Sequence, residues 1–128
     1  HVTVYPHQPY VPYMQVIGAC DMFINPFPFG NTNGIIDTIS AGLVGVCKSG
    51  NEVHEHIDEG LFRRLGMPDW LIARSTEEYI LATLRLAANH TERAWLRNRL
   101  SSPEKVKVLF KGRPEIMSER LLECLTNS

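Results

Sequence analysis

The chain has 128 residues, the length of one domain or a large part of one. It is 44% hydrophobic and 21% charged, with a net charge of −1, so no basic field advertises nucleic acid or an anionic membrane surface. No apolar run approaches the ~20 residues that span a bilayer, no signal-peptide pattern is visible, and there are no repeats or low-complexity segments.

His1 to Tyr5 alternates apolar and polar residues like a strand, so the chain is expected to open inside a sheet, as a piece of a larger protein. Pro6, Pro9 and Pro12 stiffen the following loop, because proline fixes φ and removes a donor. A short helix is predicted over 12–19 and a buried strand over 22–24. After the loop at 25–32, Ile35, Ile36 and Ile39 form one helical face, ended by Gly42. Residues 43–47 are uniformly apolar, as in a parallel strand covered on both faces.

Val53, Ile57, Leu61 and Leu65 recur every fourth residue and predict a helix over 51–65 with those residues inside. Residues 70–73 read as a third core strand. Ser75 and Glu78 form a capping box, with Glu78 reaching back to the Ser75 N–H. The helix they open is predicted to bury Ile80, Leu84 and Ala87. Helices are also predicted over 91–100, from Pro103 to about 110, and over 115–125. Alternation of strands and helices with short loops predicts an α/β fold with a parallel sheet and a helical tail.

Cys20, Cys47 and Cys124 are odd in number and widely spaced, which suits buried reduced thiols in a cytoplasmic protein. His54 and His56 are two apart and diverge by ~200° around a helix, unlike the i, i+4 pair that holds zinc from one face. Asn89-His90-Thr91 spells a glycosylation sequon, yet Asn as a C-cap and Thr as an N-cap account for both residues. The arginines at 63, 64, 93, 97 and 99 are interleaved with acids and read as solvated faces, and the four methionines read as core filler.

In open α/β sheets, ligands bind beyond the carboxyl ends of the strands. The loop at 25–33 lies there and leads into a helix start, where free N–H groups suit phosphate. Gly30 and Gly34 let backbone approach a ligand, and Thr32 and Asn33 add donors. Asn33 and Asp37 are four apart and share a helix face, from which a carboxylate can accept from ribose hydroxyls. The spacing equally allows Asn33 as an ordinary N-cap and Asp37 as an answer to the helix dipole.

"NPFPFGNTNGIIDTISAGLVGVCKSGNEVHEHIDEGLFRRLGMPDWLIA" closely resembles the bacterial cytoplasmic protein N-glycosyltransferases that modify adhesins, relatives of the O-GlcNAc transferases. The resemblance runs from His1 to about Leu100 and weakens beyond. It implies the Rossmann-like C-terminal half of a GT-B glycosyltransferase. Residues 1–100 are then a UDP-sugar-binding subdomain, incomplete at its N-terminus, and 101–128 a C-terminal helical tail.

The resemblance also implies a UDP-hexose donor, usually UDP-glucose, and metal-independent, inverting transfer to Asn of Asn-x-Ser/Thr in an adhesin-like acceptor protein. It carries nucleotide contacts onto His7 and Pro9 in "PHQPY" and onto Thr32, Asn33 and Asp37 in "GNTNGIID". No cofactor, nucleic acid or membrane is expected. A phosphate-binding lysine, the general base and the acceptor-binding half are expected upstream, since Lys48 follows the wrong strand. No catalytic residue is therefore assigned here, and the chain alone is expected to be inactive. In the "KSGNE" loop, Ser49, Gly50 and Asn51 are within reach of a donor sugar, or Asn51 caps its helix; His54 borders the sugar or only opens a solvated helix. The alternatives are a non-catalytic nucleotide-sugar-binding or interaction module, or an O-linked protein glycosyltransferase.

Overall fold

Three short parallel strands organise the computed structural model, which describes residues 1–100 and 102–126. They are β1 (Phe23–Ile24), β2 (Gly45–Lys48) and β3 (Ile72–Ala73), adjacent in that order. Phe23 lies opposite Gly45, and Cys47 lies opposite Ile72. A Cβ on Gly45 would come within 2.4 Å of the Phe23 ring and carbonyl, so glycine sets how closely β1 and β2 approach. Val46 and Cys47 are fully buried, as the uniformly apolar run requires of a central parallel strand.

The helices are α1 (Tyr10–Gly18), α2 (Asn33–Ser40), α3 (Ile57–Leu65), α4 (Thr76–Ala88), α5 (His90–Leu100), α6 (Pro103–Phe110) and α7 (Pro114–Thr126). A 3-10 turn over Val53–His56 precedes α3, so the helix predicted over 51–65 is α-helical only in its second half. Ile35 and Ile39 of α2, Phe62 and Leu65 of α3, and Leu86 of α4 close on β2. Phe23 meets Phe62 edge to face, 6.1 Å between ring centres. Gly42 and Gly66 end α2 and α3 at φ +75° and +70°, where a side chain would be strained. Residues 101, 127 and 128 of the expected tail lie outside the described residues. Within that tail α6 buries Leu109, whereas α7 buries nothing.

Several expectations are corrected. Residues 1–5 form no strand: Val2 and Val4 are 93% and 85% exposed, because no neighbour among the described residues pairs with them. The inward face of α4 carries Ala82 and Leu86, while Ile80, Leu84 and Ala87 are exposed. A small residue lets α4 settle on the sheet where the predicted face would hold it off. Ser75 does cap α4, accepting from the Glu78 N–H at 3.1 Å, but the Glu78 carboxylate reaches the Arg74 N–H at 2.7 Å. Asn89 serves both helices it joins, ending α4 and accepting the Glu92 N–H at 2.9 Å; Thr91 lies inside α5. Cys47 is buried, whereas Cys20 and Cys124 are exposed. Met67 is core, whereas Met117 is exposed.

Arg93 is 5% exposed rather than solvated. It donates to the Leu86 and Ala87 carbonyls at 2.7 and 2.9 Å, filling acceptors that the end of α4 leaves open. Among the described residues no helix is long and apolar enough to cross a membrane.

Candidate nucleotide-binding site

The carboxyl ends of β1, β2 and β3 deliver three loops to one edge of the sheet. The first, residues 25–32, is tied down from several sides. Tyr79 Oη donates to the Asn25 carbonyl at 2.6 Å. The Phe27 ring packs edge-on against Tyr79, with Lys48 Nζ 5.2 Å from its centre. Phe29 stacks on His54, 5.0 Å between ring centres. Aromatic and cation–π contacts of this kind fix the course of a loop that has no ladder of its own.

The end of that loop rests on Asp58. Asp58 Oδ2 accepts the Asn31 N–H at 2.8 Å, and Oδ1 accepts the Thr32 N–H at 3.0 Å. Thr32 occupies the N-cap position of α2, with no side-chain cap bond; Asn33 is the first helical residue. Asn33 is thus not the N-cap. The N–H groups at the start of α2 are expected to be open to phosphate; instead Gly34 and Ile35 donate to the Asn31 and Thr32 carbonyls at 2.7 and 3.2 Å, and the amides of residues 31 and 32 are bonded to Asp58. Thr32 and Asn33 present exposed side chains at the start of α2.

A cleft of about 730 Å³ opens beside α1, lined by His7, Pro9, Tyr10, Tyr13 and Ile17 among others. Tyr13 joins it to α2: Tyr13 Oη donates to Asp37 Oδ2 at 3.2 Å. Burial pushes the Tyr13 phenol pKa up, and the neighbouring Asp37 carboxylate pushes it further. His7 and Pro9 therefore share one concavity, Asp37 joins it through Tyr13, and Thr32 and Asn33 stand at the N-terminus of the helix that carries Asp37. Thr32, Asn33 and Asp37 do not line the cleft itself. A second concavity of about 470 Å³ lies beyond β3, beside Trp70, Arg74 and Arg85. Its most prominent cation, Arg85, lies over the Trp70 ring and is paired with Glu92, so that charge is taken up by the fold.

The β2 loop is organised by Glu59, 9% exposed. It accepts from the Ser49 hydroxyl, from Arg63 Nε at 2.9 Å and from Arg74 at 3.2 Å, with His56 Nδ1 at 3.1 Å. These donors, Ser49 first, then Arg63 and His56, hold the Glu59 carboxyl down to about 2. Ser, His and a carboxylate together invite comparison with a hydrolytic triad. Here Ser49 and Glu59 both approach the same ring nitrogen of His56, and Ser49 is 1% exposed, so no proton relay to a nucleophile is arranged. Asn51 is exposed and is not the cap of the following turn; the Glu52 N–H donates to Glu55 Oε2 at 2.9 Å instead. Among the described residues no three His, Cys, Asp or Glu side chains are placed to hold a metal ion.

Sequence reasoning missed Tyr13 and Asp58. Tyr13 had a signal, one helical turn beyond Pro9 and facing the same way. Asp58 had none, because its partners lie 26 and 27 residues away.

No family model matches the chain. Over 123 residues it is 55% identical to the UDP-glucose:protein N-beta-glucosyltransferase of Actinobacillus pleuropneumoniae serotype 5b (strain L20), covering 96% of this chain and 20% of that protein. The protein of the same description from serotype 7 (strain AP76) matches equally. The chain thus spans about a fifth of the length of the curated relatives it matches. Among solved structures, a mutant of the Thermobaculum terrenum O-GlcNAc transferase shares its fold at a TM-score of 0.74 and 20% identity, over 94% of this chain and 24% of that one. The architecture is that of the α/β, Rossmann-like part of a GT-B glycosyltransferase.

Proposed function

We propose that this chain is the donor-binding part of a glycosyltransferase that moves glucose from UDP-glucose to the Asn side chain of Asn-x-Ser/Thr in an adhesin-like protein. The reaction is inverting and metal-independent. The observation that carries this reading is that His7, Pro9 and Tyr13 line one cleft of about 730 Å³ and Tyr13 bonds to Asp37 beside it, in a chain 55% identical to proteins described as UDP-glucose:protein N-beta-glucosyltransferases.

The chemistry follows from what each group can offer. The Pro9 carbonyl accepts from the uracil edge. One oxygen of Asp37 is engaged by Tyr13, which leaves Oδ1 to accept a ribose hydroxyl. His7 donates to ribose or phosphate. The Thr32 hydroxyl, the Asn33 amide and the partial positive charge at the start of α2 face the diphosphate. As the acceptor nitrogen bonds to the anomeric carbon and the bond to the diphosphate oxygen breaks, negative charge grows on the leaving UDP. Donors already aimed at that charge lower the barrier without a metal. The base and the acceptor site belong to the remainder of the protein.

The experiment is to incubate the whole protein carrying this chain with UDP-glucose and an Asn-x-Thr peptide without added metal, and to weigh the peptide by mass spectrometry. One added hexose on Asn is expected, with UDP released. An unmodified peptide alongside a hexosylated Thr would overturn the N-linked reading, and absence of UDP binding would overturn the donor-binding one.

A further inference from the structure

Thr32 is the one non-glycine residue with positive φ among the described residues, at φ 38° and ψ −96°. Those angles lie near the first central position of a type II′ turn, which glycine normally fills. A β-branched residue there is strained. Its side chain is exposed and caps nothing in its own helix, so the strain is not offset by an N-cap bond.

The turn is held by a carboxylate fitted to it. Asp58 is 3% exposed and uses both oxygens, one on each of two consecutive amides, at 2.8 and 3.0 Å. Burial of a charge is costly unless it is well bonded, and the two charge-assisted bonds supply that. Gly30, at φ +73°, completes the fit: a Cβ there would lie 2.3 Å from Asp58 Oδ2. Gly30, Thr32 and Asp58 are mutually adjusted, and a glycine at 32 would allow the same turn with less strain.

We propose that Asp58 is a positioning residue for the nucleotide sugar: it locks the 30–32 turn so that the Thr32 hydroxyl faces the donor diphosphate. The proposal rests on the donor-binding reading above and deepens it. Because Asp58 occupies the amides of residues 31 and 32, the diphosphate is met instead by the Thr32 hydroxyl, Asn33 and the helix start beyond.

The test uses the whole protein and calorimetric titration of UDP, with uridine measured by competition. Asp58→Asn turns one acceptor oxygen into a donor amide and breaks one of the two bonds. It is expected to weaken UDP about 10-fold, because the loosened turn no longer holds the Thr32 hydroxyl in place, and to leave uridine unchanged. Thr32→Gly is expected to raise the melting temperature and weaken UDP similarly. The double variant should bind UDP no worse than the weaker single one, because both act through one turn. Additive losses, equal losses for UDP and uridine, or wild-type UDP affinity in Asp58→Asn would overturn the proposal while leaving donor binding intact. If Asp58→Asn does not fold, wild-type UDP affinity in Thr32→Gly overturns it. A wild-type protein that binds no UDP refutes both the reading and the proposal.

Discussion

Tyr13 and Asp37, 24 residues apart, meet at 3.2 Å where α1 crosses α2. The contact engages one carboxylate oxygen of Asp37, Oδ2. Replacing Tyr13 with Phe keeps the ring that lines the cleft and removes only the hydroxyl. UDP affinity is expected to fall by ~0.5–1.5 kcal/mol, the net worth of one hydrogen bond, with the melting temperature nearly unchanged. Calorimetry on the two proteins decides it; equal affinities would mean that Asp37 needs no orienting partner.

Asp37→Ala should cost more, ~1–3 kcal/mol of donor affinity, because a charge-assisted bond to ribose is lost. The fold should survive, since the residue is only half-buried. The sharper reading comes from a nucleotide lacking its ribose hydroxyls: wild type and variant should bind 2′,3′-dideoxy-UDP alike. A variant that loses affinity for both nucleotides would place Asp37 in a structural role.

Glu59 predicts an acid transition. Its carboxyl is held down to about 2 by Ser49, Arg63 and His56, below the ordinary ~4.3 of an unfolded glutamate. A depressed folded value means the stabilisation is fully present above the unfolded value and is lost as pH falls through the folded one. Stability should therefore decline from about pH 5 to about pH 2. Glu59→Gln should be less stable at pH 7, by on the order of 2 kcal/mol for the imperfectly satisfied site, and flatter across that window. Thermal melts at half-unit pH steps test it; parallel curves would remove Glu59 from the account.

Cys47 is fully buried, and its thiol is pushed up to about 12 by burial and by the nearby Asp58 and Glu59 carboxylates. Thiolate is the reactive form. Brief treatment of the native protein with iodoacetamide should label Cys20 and Cys124 and spare Cys47, which should react only on unfolding. Native labelling of Cys47 would contradict the described packing.

Gly45→Ala should be severely destabilising, by ~2 kcal/mol or more. The added carbon would lie within 2.4 Å of the Phe23 carbonyl and ring, and the backbone carbonyl cannot swing aside. Urea melts measure it, and an unchanged midpoint would refute the close β1–β2 approach.

What the sequence made legible was local. The apolar run at 43–47 announces the central strand, Ile35 and Ile39 announce the buried face of α2, and Ser75 announces the start of α4. What it hid depends on distant partners. In α3 the four-residue spacing of Val53, Ile57, Leu61 and Leu65 holds only at its end: Leu65 is buried and Leu61 packs on the core, but Val53 and Ile57 are exposed. Val53 is 87% exposed, while Asp58, Glu59, Phe62 and Leu65 lie inside. Acids turn inward there because the 31–32 amides, Ser49, Arg63 and Arg74 donate to them, and of these only Arg63 lies within residues 51–65. The site divides the same way. His7 and Pro9 were named from the resemblance and Asp37 from its helix position as well; Tyr13 had only its place one turn beyond Pro9 to point to it, and Asp58 emerges only from the tertiary fold.

The most direct test of the account is a crystal structure of the whole protein with UDP bound. The account predicts uracil against the Pro9 carbonyl, a ribose hydroxyl on Asp37 Oδ1, and the diphosphate at Thr32 and Asn33. UDP bound elsewhere, with Asp37 still bonded to Tyr13 alone, would contradict it.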